Sequence, residues 1–171
     1  MNAMERVIAR DEIRQLAFRY ALATDARDLD ALVELFVEDV QVGGDRVGRD
    51  ALRASFEEQL RAVGVTILFV GNHLIDFEGE ENALGHVYCK AEIQDGERWI
   101  KQAILYRDRY RCCQGQWYFV RRLHRLWYGV EASTSPLAQA PARWPENHAG
   151  RGTLPEEWES WGKFWKESEP G

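Results

Sequence analysis

Tyr20 and Asp25 stand five positions apart at the end of the run DEIRQLAFRYALATD, Asp11 to Asp25. Within it Ile13, Leu16, Ala17, Tyr20 and Thr24 recur at helical spacing and make one apolar face about 100° wide. A phenol on such a face needs a partner for its hydroxyl. Asp25 follows just past the face, so its carboxylate is carried at the rim of whatever the helix covers. A carboxylate raised in pKa by an apolar pocket can take a proton itself; the plainer reading is a helix-end or turn aspartate. Further acid–base candidates are His73, His86 and His124, in strand-like segments, whereas His148 falls in an irregular stretch and reads as solvated. Tyr88 and Tyr106 could donate hydroxyls to a substrate oxygen or serve as plain core aromatics. Lys101, near a strand start, either enters the pocket mouth or is solvated. For Arg122 the structural reading is an ion pair with Asp108. Other chemistries leave little trace: there is no GxSxG, Walker loop, GxGxxG after a strand, or HExxH. His and carboxylates show no metal-ligand spacing. What remains is an acid–base site with neither metal nor organic cofactor, and an aromatic-rich cavity suits an apolar, ring-containing small molecule.

The chain's length and charge narrow the setting. At 171 residues it can build one domain with a real core and hardly two. A net charge of −6 argues against a nucleic-acid or anionic-membrane partner. The arginines of Arg107 to Arg125 fall in strand-like segments, where cross-strand pairing and a polar sheet face account for most of them. Cys89, Cys112 and Cys113 give no disulfide framework and no CxxC motif, which fits a reducing compartment. With no apolar run of membrane-spanning length and no signal-peptide core, the expectation is a soluble cytoplasmic protein.

The elements that must position these residues follow in order. Asp28 is a plausible N-cap for a second helix bearing Leu29, Leu32, Val33 and Phe36. A short strand is expected over Val37 to Val42, with a turn at Gly43-Gly44-Asp45. Gly48 opens a third helix, with Leu52, Phe56 and Leu60 on one side. Four strands then read as Val65 to Phe77, Ala83 to Ile93, Arg98 to Arg111 and Gln116 to Tyr128, linked as a meander by Gly-containing turns. Their order gives an α+β fold with three N-terminal helices against one curved antiparallel sheet. Both faces of the strands carry apolar side chains, so one should enclose a pocket under the helices and the other should meet another subunit. The domain is expected over residues 1–130. Residues 131–171 form an arm and a Trp-rich helix rather than a second domain. Thr153-Leu154-Pro155-Glu156 resembles a capping box opening that helix, which carries Trp158, Trp161 and Trp165.

Several of these motifs resemble the SnoaL-like branch of the nuclear-transport-factor-2-like superfamily. The matching residues are Tyr20-x4-Asp25-x2-Asp28, Phe36-x2-Asp39-Val40, Gly71-Asn72-His73-Leu74-Ile75 before an acidic Gly turn, Tyr106-Arg107-Asp108, and Trp117 with Arg122 five residues on. The resemblance covers about residues 5–130 and is specific to the superfamily rather than to one activity. It implies a cone-shaped α+β barrel, no metal or organic cofactor, commonly a trimer, and elimination driven by a His–Asp pair as in scytalone dehydratase, bile-acid 7α-dehydratase and hexachlorocyclohexane dehydrochlorinase. Tyr20 and Asp25 match the dehydratase pattern, in which the Asp orients a basic His. Here His73 is the nearest candidate, but the family's His position, four residues before Asn72, is occupied by Leu68. Strand alternation also puts His73 on the opposite face from Leu68 unless a bulge intervenes. Should His73 fail, Asp25 is the alternative base. Arg122 matches a family Arg able to stabilise a leaving anion or developing enolate. Since that Arg should face the pocket, so should Val120, His124, Leu126 and Tyr128, with Phe119, Arg121, Leu123, Arg125 and Trp127 on the far face.

Two functions from different classes are compatible with this pattern. One is a cofactor-independent lyase, eliminating a small group or cleaving a carbon–carbon bond by deformylation, with an isomerase or cyclase of the same fold as its variant. The other is a non-catalytic binding or assembly subunit, such as the small subunit of ring-hydroxylating dioxygenases. The expected partners are a small-molecule substrate and further copies of the chain, a trimer favoured over a dimer, with no nucleic acid and no membrane.

Overall fold

The computed structural model describes residues 1–166. Helix α1 runs over Ala3–Ala26 and starts well before the apolar run, because Asn2 and Glu5 form a reciprocal capping box. It stops at Arg27, whose left-handed backbone (φ 58°) lets Asp28 turn and cap α2, Leu29–Glu34, by accepting from the Ala31 amide at 3.0 Å. The strand expected over Val37 to Val42 shrinks to β1, Gln41–Val42, paired with β2, Arg46–Val47, in a small hairpin. The preceding segment docks on the main sheet instead, with the Val37 amide donating to the Phe119 carbonyl at 2.9 Å. Helix α3 covers Arg49–Arg61 after Gly48.

Four long strands follow: β3, Thr66–Glu78; β4, Asn82–Asp95; β5, Arg98–Cys113; and β6, Gln116–Glu131. They pair antiparallel in the order β3-β4-β5-β6, as a meander. This α+β arrangement of N-terminal helices on one curved antiparallel sheet, closed by a short C-terminal helix, is the cone-shaped architecture expected. The sheet's helix-facing side carries Ala83, Val87, Cys89, Ala91, Ile104, Tyr106, Tyr110 and Phe119, all buried. Ile13, Leu16 and Ala17 of α1 pack onto it, with Leu32 and Phe36 beside them.

Three bulges reset the alternation. In β3, Val70 pairs with Cys89 and His73 with Val87, so Gly71 and Asn72 together oppose Tyr88. In β6, Val120 and later Trp127 are the extra residues, since Arg109–Arg121 is followed by Tyr110–Phe119, and Ala103–Tyr128 by Ile104–Leu126. The first bulge turns His73 onto the inner face with Leu68. The second puts Phe119 on the same face as Arg122, where simple alternation had separated them. The third moves Tyr128 off that face.

After β6 the arm makes two 3-10 turns, Pro136–Ala138 and Pro155–Glu157. The capping box expected at Thr153 does not form: Leu154 occupies the cap position of a 3-10 turn, without a side-chain cap. Helix α4 begins only at Glu159 and ends at Lys166, and residues 167–171 of the expected arm lie outside those described. Its buried residue is Phe164 rather than the tryptophans; Trp161 and Trp165 are half-buried and Trp158 is exposed. It docks at the far end of α1, where the Ser160 hydroxyl donates to the Ala26 carbonyl at 2.7 Å. Among the described residues no helix is long and apolar enough to cross a membrane.

Candidate functional site

Asp25 lies in the last turn of α1, half-buried against the start of β3. Its Oδ1 accepts from the Thr66 hydroxyl at 2.9 Å and its Oδ2 from the Leu68 amide at 2.9 Å. Burial raises its pKa to about 6, and the bonds from Leu68 and Thr66 and the charge of Arg27 keep it from rising further. Around it the inner face is small and apolar: Ala17, Val87, Cys89, Ala91 and Ile104 pack with Leu68 and Val70. The Cys89 thiol in this patch is pushed up to about 11 by burial, and it feels Arg122 on one side and Asp25 on the other.

Arg122 is the second charged centre. Its side chain is only 4% exposed, and its Nε and Nη2 donate to Asp108 Oδ1 and Oδ2 at 2.9 and 2.7 Å. Burial works against its charge, but the paired carboxylate of Asp108 outweighs burial and raises its pKa. The guanidinium carbon sits 4.4, 4.3 and 4.5 Å from the ring centres of Tyr20, Tyr106 and Phe119. Its Nη1 is buried with no hydrogen-bond partner among the described residues. Ring faces on one side and a bidentate carboxylate on the other hold the guanidinium in a single orientation.

A cavity of about 370 Å³ opens on this group between α3 and the sheet. Tyr20, Phe56, Gln59, Tyr106, Arg122 and His124 are among its lining residues, and Asp25 is not. Burial raises the Tyr20 phenol, against the pull of Arg122, and raises Tyr106 well above its usual value. Both are therefore hydrogen-bond donors, not phenolates, at neutral pH. Burial lowers the pKa of His124, whose ring meets Tyr106 edge-on at 5.6 Å. Beyond it the inner face of β6 is open, with Leu126 50% exposed.

His73 belongs to a different arrangement from the His–Asp pair. Its Nε2 lies 3.0 Å from the Tyr110 hydroxyl, which donates to Asp108 Oδ2 at 2.8 Å. With that hydroxyl proton committed, His73 must donate from Nε2, leaving Nδ1 a buried acceptor without a partner among the described residues. Burial lowers its pKa to about 4, against the opposing attraction of Asp108. Leu68 pairs with Ala91 and His73 with Val87, four positions along β4. At about 3.3 Å per residue that is roughly 13 Å. The bulge brings His73 to the right face, yet too far along it to touch Asp25.

The structure thus brings together Tyr20, Tyr106, Arg122 and His124 around one cavity, with Asp25 and Leu68 on the adjoining patch. Three expected pocket residues lie elsewhere. Tyr88 pairs with Leu105 on the outer face, against Trp127. Tyr128 is 53% exposed on the same outer face because of the Trp127 bulge. Lys101 pairs with Glu92 there and is exposed. His86, between inward Gly85 and Val87, is also outward. Sequence reading missed Thr66, Arg27 and Tyr110. Only Arg27 carried a signal, since a helix ending just before the Asp28 cap needs a turning residue there. Among the described residues no three of His, Cys, Asp and Glu gather to hold a metal ion.

Comparison with known proteins agrees with this architecture. No curated protein matches the chain. Among solved structures it is similar to a scytalone dehydratase-like protein from Novosphingobium aromaticivorans DSM 12444, with 24% identity and TM-score 0.68 over 78% of this chain and 94% of that one. It is also similar to the hexachlorocyclohexane dehydrochlorinase LinA-type3 from Novosphingobium barchaimii LL02, with 19% identity and TM-score 0.66 over 77% and 95%. A third, Rv3472 from Mycobacterium tuberculosis, of unknown function, shares 25% identity, with TM-score 0.62 over 73% and 78%. The model of the SnoaL-like domain matches residues 5–123, most of the barrel, and the chain belongs to that family.

Proposed function

We propose that this protein is a lyase that uses acid–base groups of its own chain on a small, apolar, ring-containing substrate. The carrying observation is Arg122: a buried, carboxylate-paired guanidinium that lines a cavity together with the phenols of Tyr20 and Tyr106. Such a group stabilises negative charge that develops on a substrate oxygen or leaving group. Asp25 is the base. It takes a proton from carbon beside an activating group; the C–H electrons form the new double bond, and the leaving group departs with its own pair. Departing hydroxide picks up a proton from Tyr20 or Tyr106, whereas a halide leaves as the anion. Carbon–carbon cleavage with loss of formaldehyde would use the same base on a hydroxyl proton, the C–C electrons forming the new double bond as a leaving group departs from the adjacent carbon with its own pair. The dehydratase and dehydrochlorinase names among similar structures support elimination as the reaction type.

The deciding test is independent of which group leaves. The purified protein is incubated in D2O with aryl substrates bearing a β-hydroxyl or β-halide next to a carbonyl, followed by NMR. The reading expects deuterium exchange or elimination that disappears in Asp25→Asn and Arg122→Gln. Tight binding with neither exchange nor product would make it a binding protein instead.

The sheet's outer face supports the rest of the reading. Ile67, Phe69, Leu74, Trp127, Tyr128 and Val130 are 37–73% exposed on it or along its edge, and clustered exposed apolar side chains mark interaction surfaces. We take this face as the surface on which copies of the chain assemble, as a trimer.

A further inference from the structure

Behind Asp25 lies a second layer that the proposed chemistry does not itself use. Arg27 is 2% exposed, and its Nη1 donates to the Thr24 carbonyl at 2.6 Å and to the Thr66 hydroxyl at 2.8 Å. Its Nη2 donates to the Gly64 carbonyl. The guanidinium is covered from outside by Trp161 of α4, 4.7 Å from ring centre to Cζ. A guanidinium has no lone pair to offer. Thr66 can therefore only accept from Arg27, and its single proton is directed at Asp25 Oδ1. The same arginine closes the loop after α3 through Gly64 and fixes the end of α1 through Thr24.

We propose that Arg27 and Thr66 are positioning residues for Asp25: Arg27 commits the Thr66 hydroxyl as a donor, and the pair fixes the carboxylate's rotamer and acidity. This rests on the reading of Asp25 as the base, but it concerns a property of the carboxylate measurable without a substrate. With Oδ1 held by Thr66 and Oδ2 by the Leu68 amide, both carboxylate oxygens are tied to the start of β3. The groups that bear on its charge are few. Arg27 reaches it from the end of α1, the Thr66 hydroxyl and Leu68 amide from β3, and the Cys89 thiol from β4. Helix α4 turns the uncharged Trp161 to Arg27, while its Glu159 and Lys163 pair with each other in solvent at 2.7 Å.

The experiment is a pH titration of the Asp25 carboxyl carbon by 13C NMR in the full-length protein, in parallel with the pH profile of the D2O exchange. Thr66→Val removes the hydroxyl at nearly constant volume and should move the Asp25 midpoint upward by about one pH unit. Thr66→Ser, which restores the donor, should return it to the wild-type value. Arg27→Met should raise the midpoint in the wild-type background and do less in the Thr66→Val background, since part of its effect passes through that hydroxyl. If Arg27→Met does not fold, Arg27→Gln, whose amide oxygen can accept from Thr66 and so release its proton from Asp25, takes its place in both backgrounds. An unmoved midpoint in Thr66→Val, or equal Arg27→Met shifts in both backgrounds, would overturn the relay. Midpoints that move as stated in a protein without exchange activity would leave the relay standing and remove the lyase reading.

Discussion

Asp25 carries opposing loads: an apolar surrounding that favours its protonated form and two donors that favour its charge, with burial ahead and the pKa near 6. A base must be ionised, so kcat/KM should rise through about pH 6 and level off above it, and the pH profile of the exchange reaction reads this directly. His73, lowered to about 4, is already neutral across that limb. His73→Ala should therefore leave the limb in place; its loss would make His73 the base. The two groups also pull stability in opposite directions. His73 binds its proton in the unfolded chain near 6.5 but in the folded one only near 4, so its contribution is present above 6.5 and is lost as pH falls towards 4. Asp25 keeps its proton to about 6 in the fold against 3.8 unfolded, so its contribution is full below 3.8 and is lost as pH rises through 6. In urea melts, Asp25→Asn should thus lose stability more steeply than wild type as pH drops from 6 to 4.

At the level of elements, the four strands and three N-terminal helices were legible because apolar spacing switches from helical to alternating at Gly64 and turn residues mark each hairpin. The bulges were not. Nothing in Gly71-Asn72, Val120 or Trp127 tells which residue the partner strand will skip, and each skip reverses the facing of all that follows. Hence Phe119 and Arg122 proved neighbours, and Tyr128 left the pocket. Tyr20, Asp25 and Arg122 could be read from helix-face position and family pattern. Thr66 and Tyr110 could not, since their roles exist only through the strands they meet. The tail was misread in detail because Trp spacing suggested the buried face, whereas Phe164 fills it, under the Arg61 guanidinium at 4.3 Å. Phe164→Ala should cost roughly 3 kcal/mol, lowering Tm by roughly 6–12 °C in a chain of this size. An unchanged Tm by calorimetry would show α4 to be a dispensable appendage.

Across the whole molecule, the inner face carries Asp25 from α1 and Arg122 from β6, the proposed base and anion-stabilising group, and the outer face carries an apolar surface. Charging that surface with Phe69→Lys and Tyr128→Lys together should shift the sedimentation coefficient to that of a single chain; an unchanged coefficient would place the assembly surface elsewhere. In the proposed reaction the helices and the sheet meet at one functional point, where a proton leaves carbon at Asp25 while charge gathers near Arg122. Replacing the Asp25 carboxylate by an amide of the same shape tests that point most directly. In D2O, with a substrate that wild type exchanges or eliminates, folded Asp25→Asn should lose on the order of 10²–10⁴-fold in rate. A folded Asp25→Asn protein with near wild-type exchange would contradict the account.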